Sequence, residues 1–181
     1  MNAQPTSTPA AAALTDQPEA PRPAATPIDT PRVFIGPEAD YYDESWRWMD
    51  WVGRKRSWNP SAALGFAGWL AYRRMYRSAA VAFLWLVTAA ALIANGVPVI
   101  AVALLHLGAA VLLGLYGNTL YFNHFRRLAR TVREEDHAAR LAALTRLGGT
   151  RPAAAAIVAV AALVVIAGTV QLIGIENIRL H

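Results

Sequence analysis

The sequence predicts an all-α membrane protein: three transmembrane helices (a hairpin plus one), one interfacial or re-entrant segment, one cytosolic amino-terminal helix and a disordered amino-terminal tail. Three observations carry this. No Asp, Glu, Lys or Arg occurs between Arg77 and Arg126, and none between Arg151 and Glu176. Charge-free runs beyond about 18 residues suit lipid better than a water-soluble core. Arginines crowd the margins, with Arg73, Arg74 and Arg77 before the first run and Arg126, Arg127, Arg130 and Arg133 after it. The first 31 residues hold seven of the 11 prolines and little that could be buried.

Residues 1–31 therefore read as a disordered Pro/Ala/Thr-rich tail, because proline at this density breaks helices. Ala10-Ala11-Ala12-Ala13-Leu14 lacks a basic flank and is too short for a signal peptide, so the tail is expected to stay in the cytoplasm. Arg32-Val33-Phe34-Ile35-Gly36 is a short apolar lead-in, read as a single extended strand or a lip against the next helix. That helix is expected over 37–54. Pro37 suits a first position, Glu38 and Asp40 favour the positive end of the dipole, and Arg54, Lys55 and Arg56 the negative end. Tyr42, Trp46 and Met49 are spaced as one face, with Tyr41, Trp48 and Val52 nearby, which means packing or membrane-interface contact.

The stretch from Ser57-Trp58-Asn59-Pro60 to Tyr76-Arg77 is the hinge between these halves. Residues 60–72 are apolar but too few to cross a bilayer, and arginines follow directly. An interfacial or shallow re-entrant helix fits, with Trp58, Trp69, Tyr72 and Tyr76 at headgroup level and Arg73, Arg74 and Arg77 reaching phosphates. The first span is expected over 78–94. Seventeen residues reach roughly 26 Å, so Met75 and Tyr76 extend it. Asn95-Gly96-Val97-Pro98 is a turn, and the second span runs over 97–122. Phe125–Leu147 keeps a helical pattern, with Arg130–Glu134 and Asp136–Arg140 as i, i+4 pairs, and Gly148-Gly149 ends it. Residues 134–151 are the end of this cytosolic helix and a linker. Pro152 opens the third span, 153–173, followed by a short tail. The basic loops place the amino terminus in the cytoplasm and the carboxyl terminus outside.

The formal charge of +5 belongs to these flanks, so nucleic acid is not an expected partner. Cysteine is absent, which removes disulfides, thiolate catalysis and Cys-ligated metals. His106 is the one imidazole deep in a span. A proton relay or haem ligand and a helix-to-helix hydrogen bond are both open to it. His106, His124, His137 and His181 share no ligand spacing, so neither a metal nor a cofactor is expected. P-loop, nucleotide-binding and triad patterns are missing as well.

Three sets of residues carry a family likeness. They are Gly36 with Ala39-Asp40-Tyr41-Tyr42 and Trp46; Ser57-Trp58-Asn59, Ala62-Ala63, Gly65-Phe66, Trp69-Leu70 and Tyr72-Arg73-Arg74-Met75-Tyr76; and Gly117-Asn118 with Tyr121 and His124. In their order and spacing, roughly Val33 to Arg133, the chain resembles the bacterial domain of unknown function 2628 family. The resemblance implies a small bacterial inner-membrane protein and supplies architecture without chemistry. Pro60 and Ala67-Gly68 depart from the family's usual Trp and Gly-Pro at those places.

The candidate lipid- or partner-binding set is Trp58, Asn59, Trp69, Tyr72, Arg73, Arg74, Tyr76, Asn118, Tyr121 and His124, completed by Asp40 or Tyr41. Together they could form a polar pocket for a lipid headgroup, or simply tie the soluble helix to the hairpin, since buried polar groups need partners regardless of function. The reading that follows is a non-enzymatic membrane protein whose aromatic-basic cytosolic surface meets lipid headgroups or a partner protein, with a homo-oligomer also open. An accessory subunit of a membrane complex is the alternative, and a lipid-modifying enzyme comes third.

Overall fold

The computed structural model describes residues 29–53, 55–133 and 136–179. Among the described residues seven helices follow one another: α1 Asp29–Ile35, α2 Ala39–Val52, α3 Pro60–Tyr72, α4 Tyr76–Ala94, α5 Val99–Thr131, α6 His137–Leu147 and α7 Pro152–Arg179. Among the described residues there is no strand. α4, α5 and α7 are each long and apolar enough to cross a membrane.

α5 has 33 residues and so measures about 50 Å, against about 30 Å of hydrocarbon. Its last turns project beyond the apolar layer and become the post on which α1 and α2 are built. The second span therefore does not end its helix at residue 122. Nor does one helix run from 125 to 147: Val132 is extended, and α6 starts afresh behind Asp136, whose carboxylate accepts from Ala139 N at 2.8 Å. Asp136 thus acts as a helix cap, the commoner task for an acid at that position. The other expected pair involves Glu134, which lies outside the described residues.

Two further expectations are corrected at the amino-terminal side. The lead-in 32–36 is not extended but forms the end of α1, which also takes up residues 29–31 of the expected tail; the rest of the tail lies outside the described residues. Gly36, at φ 80°, stops this helix by sending its N–H back to Arg32 O at 3.0 Å. Phe34 and Ile35 are buried, and Leu144 of α6 is buried in the same core. α2 begins at Ala39 rather than 37, and Gly53 in the left-handed region closes it.

α3 is the centre of the bundle and packs against α4, α5 and α7. Asn59 caps it, its side chain accepting from Ala62 N at 2.9 Å, and Pro60 fills the first turn. The helix breaks at Phe66, at φ 40° and ψ −118°. Asn59 N bonds Gly114 O at 2.8 Å and the Arg73 guanidinium lies over Tyr121, so both ends meet the same stretch of α5. Between them Phe66 meets His106 edge-on at 4.9 Å, two turns and roughly 12 Å further along α5. The segment enters between the span helices and comes back.

Glycine makes the close approach possible. A Cβ on Gly117 would stand 2.8 Å from the Ala62 Cβ, and one on Gly114 would stand 2.7 Å from the Trp58 ring. At the exit of α3, Arg74 takes φ 59°, a left-handed conformation costly for a residue with a Cβ. Its guanidinium holds it there, donating to Arg146 O at 2.7 Å and Gly148 O at 2.6 Å. Those carbonyls end α6, where the dipole favours a cation.

Candidate functional site

The hinge, α2 and the projecting part of α5 meet in two polar nodes set in one aromatic core. The first is built on Asn59 and Asn118, both fully buried. Asn59 Nδ2 donates to Asn118 Oδ1 at 2.7 Å; Asn118 Nδ2 donates to Ser57 Oγ at 3.1 Å and Tyr41 Oη at 3.3 Å. The Tyr41 hydroxyl passes its own proton to Trp58 O at 3.1 Å, and Trp46 Nε1 donates to the Asn118 carbonyl at 3.2 Å. Each amide atom has a use, so the node holds hinge, α2 and α5 in one register.

The second node is Arg73. Its side chain is 1% exposed, yet it carries a charge. Glu38 at the start of α2 forms an ion pair with Nη2, and the Tyr72 hydroxyl steadies the same carboxylate at 3.2 Å. The guanidinium carbon lies 4.6 Å from the Tyr42 ring centre, 5.1 Å from Tyr121 and 5.3 Å from Tyr72. Ring faces attract a cation most strongly where water is excluded. They stand in for oxygen acceptors here: among the described residues Arg73 Nε and Nη1 and the Tyr121 hydroxyl have no hydrogen-bond partner. Burial pulls the Arg73 pKa below its ordinary value and pushes that of the Tyr42 phenol well above its own. Phe34, Tyr42 and Trp46 pack around Tyr121, Phe122 packs on Trp46 and Phe125 on Phe34, with ring centres about 5–6 Å apart, the range of favourable tilted contacts.

The structure thus divides the expected site. Asn59, Trp69, Arg73, Asn118 and Tyr121 are interior, and Trp69 and Arg73 do not reach headgroups as expected. Tyr41 and Tyr72 join the nodes from the rim. Asp40 stays apart in an exposed pair with Arg32, which Asp43 shares, and these hydrogen bonds hold the Arg32 pKa above its ordinary value. Arg74 is occupied by α6, and His124 packs beside Phe34. Of the expected residues, Trp58 and Tyr76 are the aromatic ones left about half exposed.

A second surface joins Trp58 to residues outside the expected binding set. Trp48 and Trp51 point away from the core face of α2, Trp51 at 85% exposure, and Lys55 and Arg56 follow at once. Trp48, Arg56 and Trp58 line one hollow with Leu115. The signal was present in the helical phase: Trp48 and Trp51 lie three apart, off the Tyr42–Trp46–Met49 stripe. Among the described residues no three metal-ligating side chains cluster.

Fold and site together define a multi-pass membrane protein with a broken helix held between its spans and an aromatic core at one end. Residues 38–127 match the family model described as protein of unknown function DUF2628, and through this region the chain belongs to that family. No curated protein and no solved structure matches it.

Proposed function

We propose that this is a non-enzymatic inner-membrane protein of bacteria whose cytosolic face binds anionic lipid headgroups through Trp48, Trp51, Trp58, Lys55 and Arg56. One observation carries the reading: a strongly exposed Trp beside two bases, at the level where Ser57 N meets Leu115 O of the second span at 3.2 Å. Indole rings settle at the boundary of headgroup and hydrocarbon, and each base there gains about 1 kcal/mol from an anionic leaflet. The polar core supports a structural rather than catalytic role, because the buried amides of Asn59 and Asn118 bond one another. The basic flanks support a cytoplasmic placement of this end and an external carboxyl terminus.

Lipid-facing tryptophans are quenched by brominated acyl chains. In nanodiscs containing brominated phosphatidylglycerol, Trp51→Ala is expected to remove a large share of that quenching, while Trp46→Phe removes little. Lys55→Ala/Arg56→Ala should weaken the preference for phosphatidylglycerol over phosphatidylcholine severalfold. Equal quenching before and after Trp51→Ala contradicts the reading. A stoichiometric protein covering Trp51 in native membranes contradicts it too, and favours an accessory subunit.

A further inference from the structure

The broken helix fills the space between α5 and α7 only part of the way. It turns back at Phe66, whose ring lies on His106. Beyond that point α4 packs against both other spans, while α5 and α7 have little contact with each other. What remains is a cavity of about 390 Å³, within the range of small-molecule sites. Ala90 of α4, Val102 and Ala103 of α5, and Val165 and Thr169 of α7 form its walls, and His106 its inner end. The side between α5 and α7 opens to the acyl chains of the bilayer.

Two polar side chains face this apolar space. The Thr169 hydroxyl returns its proton to Val165 O at 2.8 Å. His106 differs. Its Nδ1 accepts from Trp85 Nε1 at 3.2 Å, so the proton of the neutral ring sits on Nε2. Among the described residues nothing accepts from that N–H. The cavity therefore offers one fixed donor in apolar walls, and its complement is an apolar molecule with one good acceptor oxygen. Depth narrows the class. His106 is the eighth residue of α5, about 10 Å in from the helix start, whereas the ester carbonyls of lipids stay at the headgroup boundary.

We propose that this cavity binds a hydrophobic carbonyl compound dissolved in the bilayer, of the quinone or ketone class, with its carbonyl oxygen accepting from His106 Nε2. The site lies beyond Phe66, away from the Trp51 surface, and stands or falls independently of it. Decylubiquinone is the probe, titrated into the full chain in phosphatidylcholine nanodiscs and followed by ¹⁵N-histidine NMR. A saturable shift of His106 Nε2 is expected, with the other three histidines of the chain as internal controls. Decylbenzene, which has the tail without an acceptor, is expected to bind about five- to tenfold more weakly, the usual worth of one hydrogen bond. Ala103→Leu fills the cavity and abolishes the shift while thermal unfolding stays cooperative. A shift that never saturates, that survives Ala103→Leu, or that moves all four histidines alike overturns the proposal. So does an Nε2–H already bonded to lipid ester before quinone is added.

Discussion

Arg73→Ala is expected to lower stability by about 3–5 kcal/mol, the range for breaking a buried ion pair and emptying its site. The loss arises on three sides. Glu38 forfeits its partner, the Tyr42, Tyr72 and Tyr121 rings forfeit the cation between them, and the core gains a cavity. Glu38→Gln leaves the buried guanidinium without its counter-charge, yet should cost less, about 1–3 kcal/mol, because the Gln side-chain carbonyl can still accept from Nη2 and the three rings still face the cation. Arg73→Lys is not a rescue, since a compact ammonium cannot lie flat against three rings. Thermal unfolding in a fixed detergent, followed by near-ultraviolet dichroism of the aromatic core, checks the order Arg73→Ala, Arg73→Lys, Glu38→Gln from most to least damaging. If Arg73→Ala unfolds with the parent chain, the guanidinium is not the keystone described above.

Gly117→Leu is expected to separate α3 from α5 and to cost more than about 3 kcal/mol, with Gly117→Ala at about 1–3. A methyl at 117 already falls 2.8 Å from Ala62 and 3.7 Å from Asn59, beside the bond between Asn59 and Asn118. Gly108, on the same helix, has nothing within 4 Å of an added Cβ, so Gly108→Ala should be neutral or gain up to about 1 kcal/mol from helix propensity. The pair separates close packing from a general intolerance of α5 to side chains. Equal effects at 108 and 117 would remove the packing argument.

Much of this was legible in sequence because it follows from long averages. The spans announce themselves by charge-free length, and Asn95-Gly96 by turn chemistry. What escaped depends on single contacts between distant residues. Phe34 and Ile35 are helical because α6 covers them, a partner more than a hundred positions away that no local pattern at 32–36 reveals. The kink at Phe66 has no sequence mark beyond the preceding glycine. Arg73, Arg74 and Arg77 look alike in sequence, yet one is caged by tyrosines, one ends α6 and one is exposed. Turn geometry between α3 and α4 decides among them, and composition does not encode it. The same holds for Asn118, where the sequence favours cross-bracing over recognition but no local pattern names its partners, Asn59, Ser57 and Tyr41.

α3 enters the bundle and returns, leaving both its flanks on the side opposite the α4–α5 turn. The absence of native cysteine makes single-cysteine labelling direct. Ser57→Cys and Arg77→Cys should react with a membrane-impermeant maleimide from the cytoplasmic side only, and Asn95→Cys from the opposite side only. Leu64→Cys is the deciding position: its side chain is turned outward at the deep part of α3, facing lipid, and should react from neither side. Ready labelling of Leu64→Cys from the cytoplasm would place the segment on the membrane surface, and labelling of Ser57→Cys and Arg77→Cys from opposite sides would make it a crossing; either result contradicts the account.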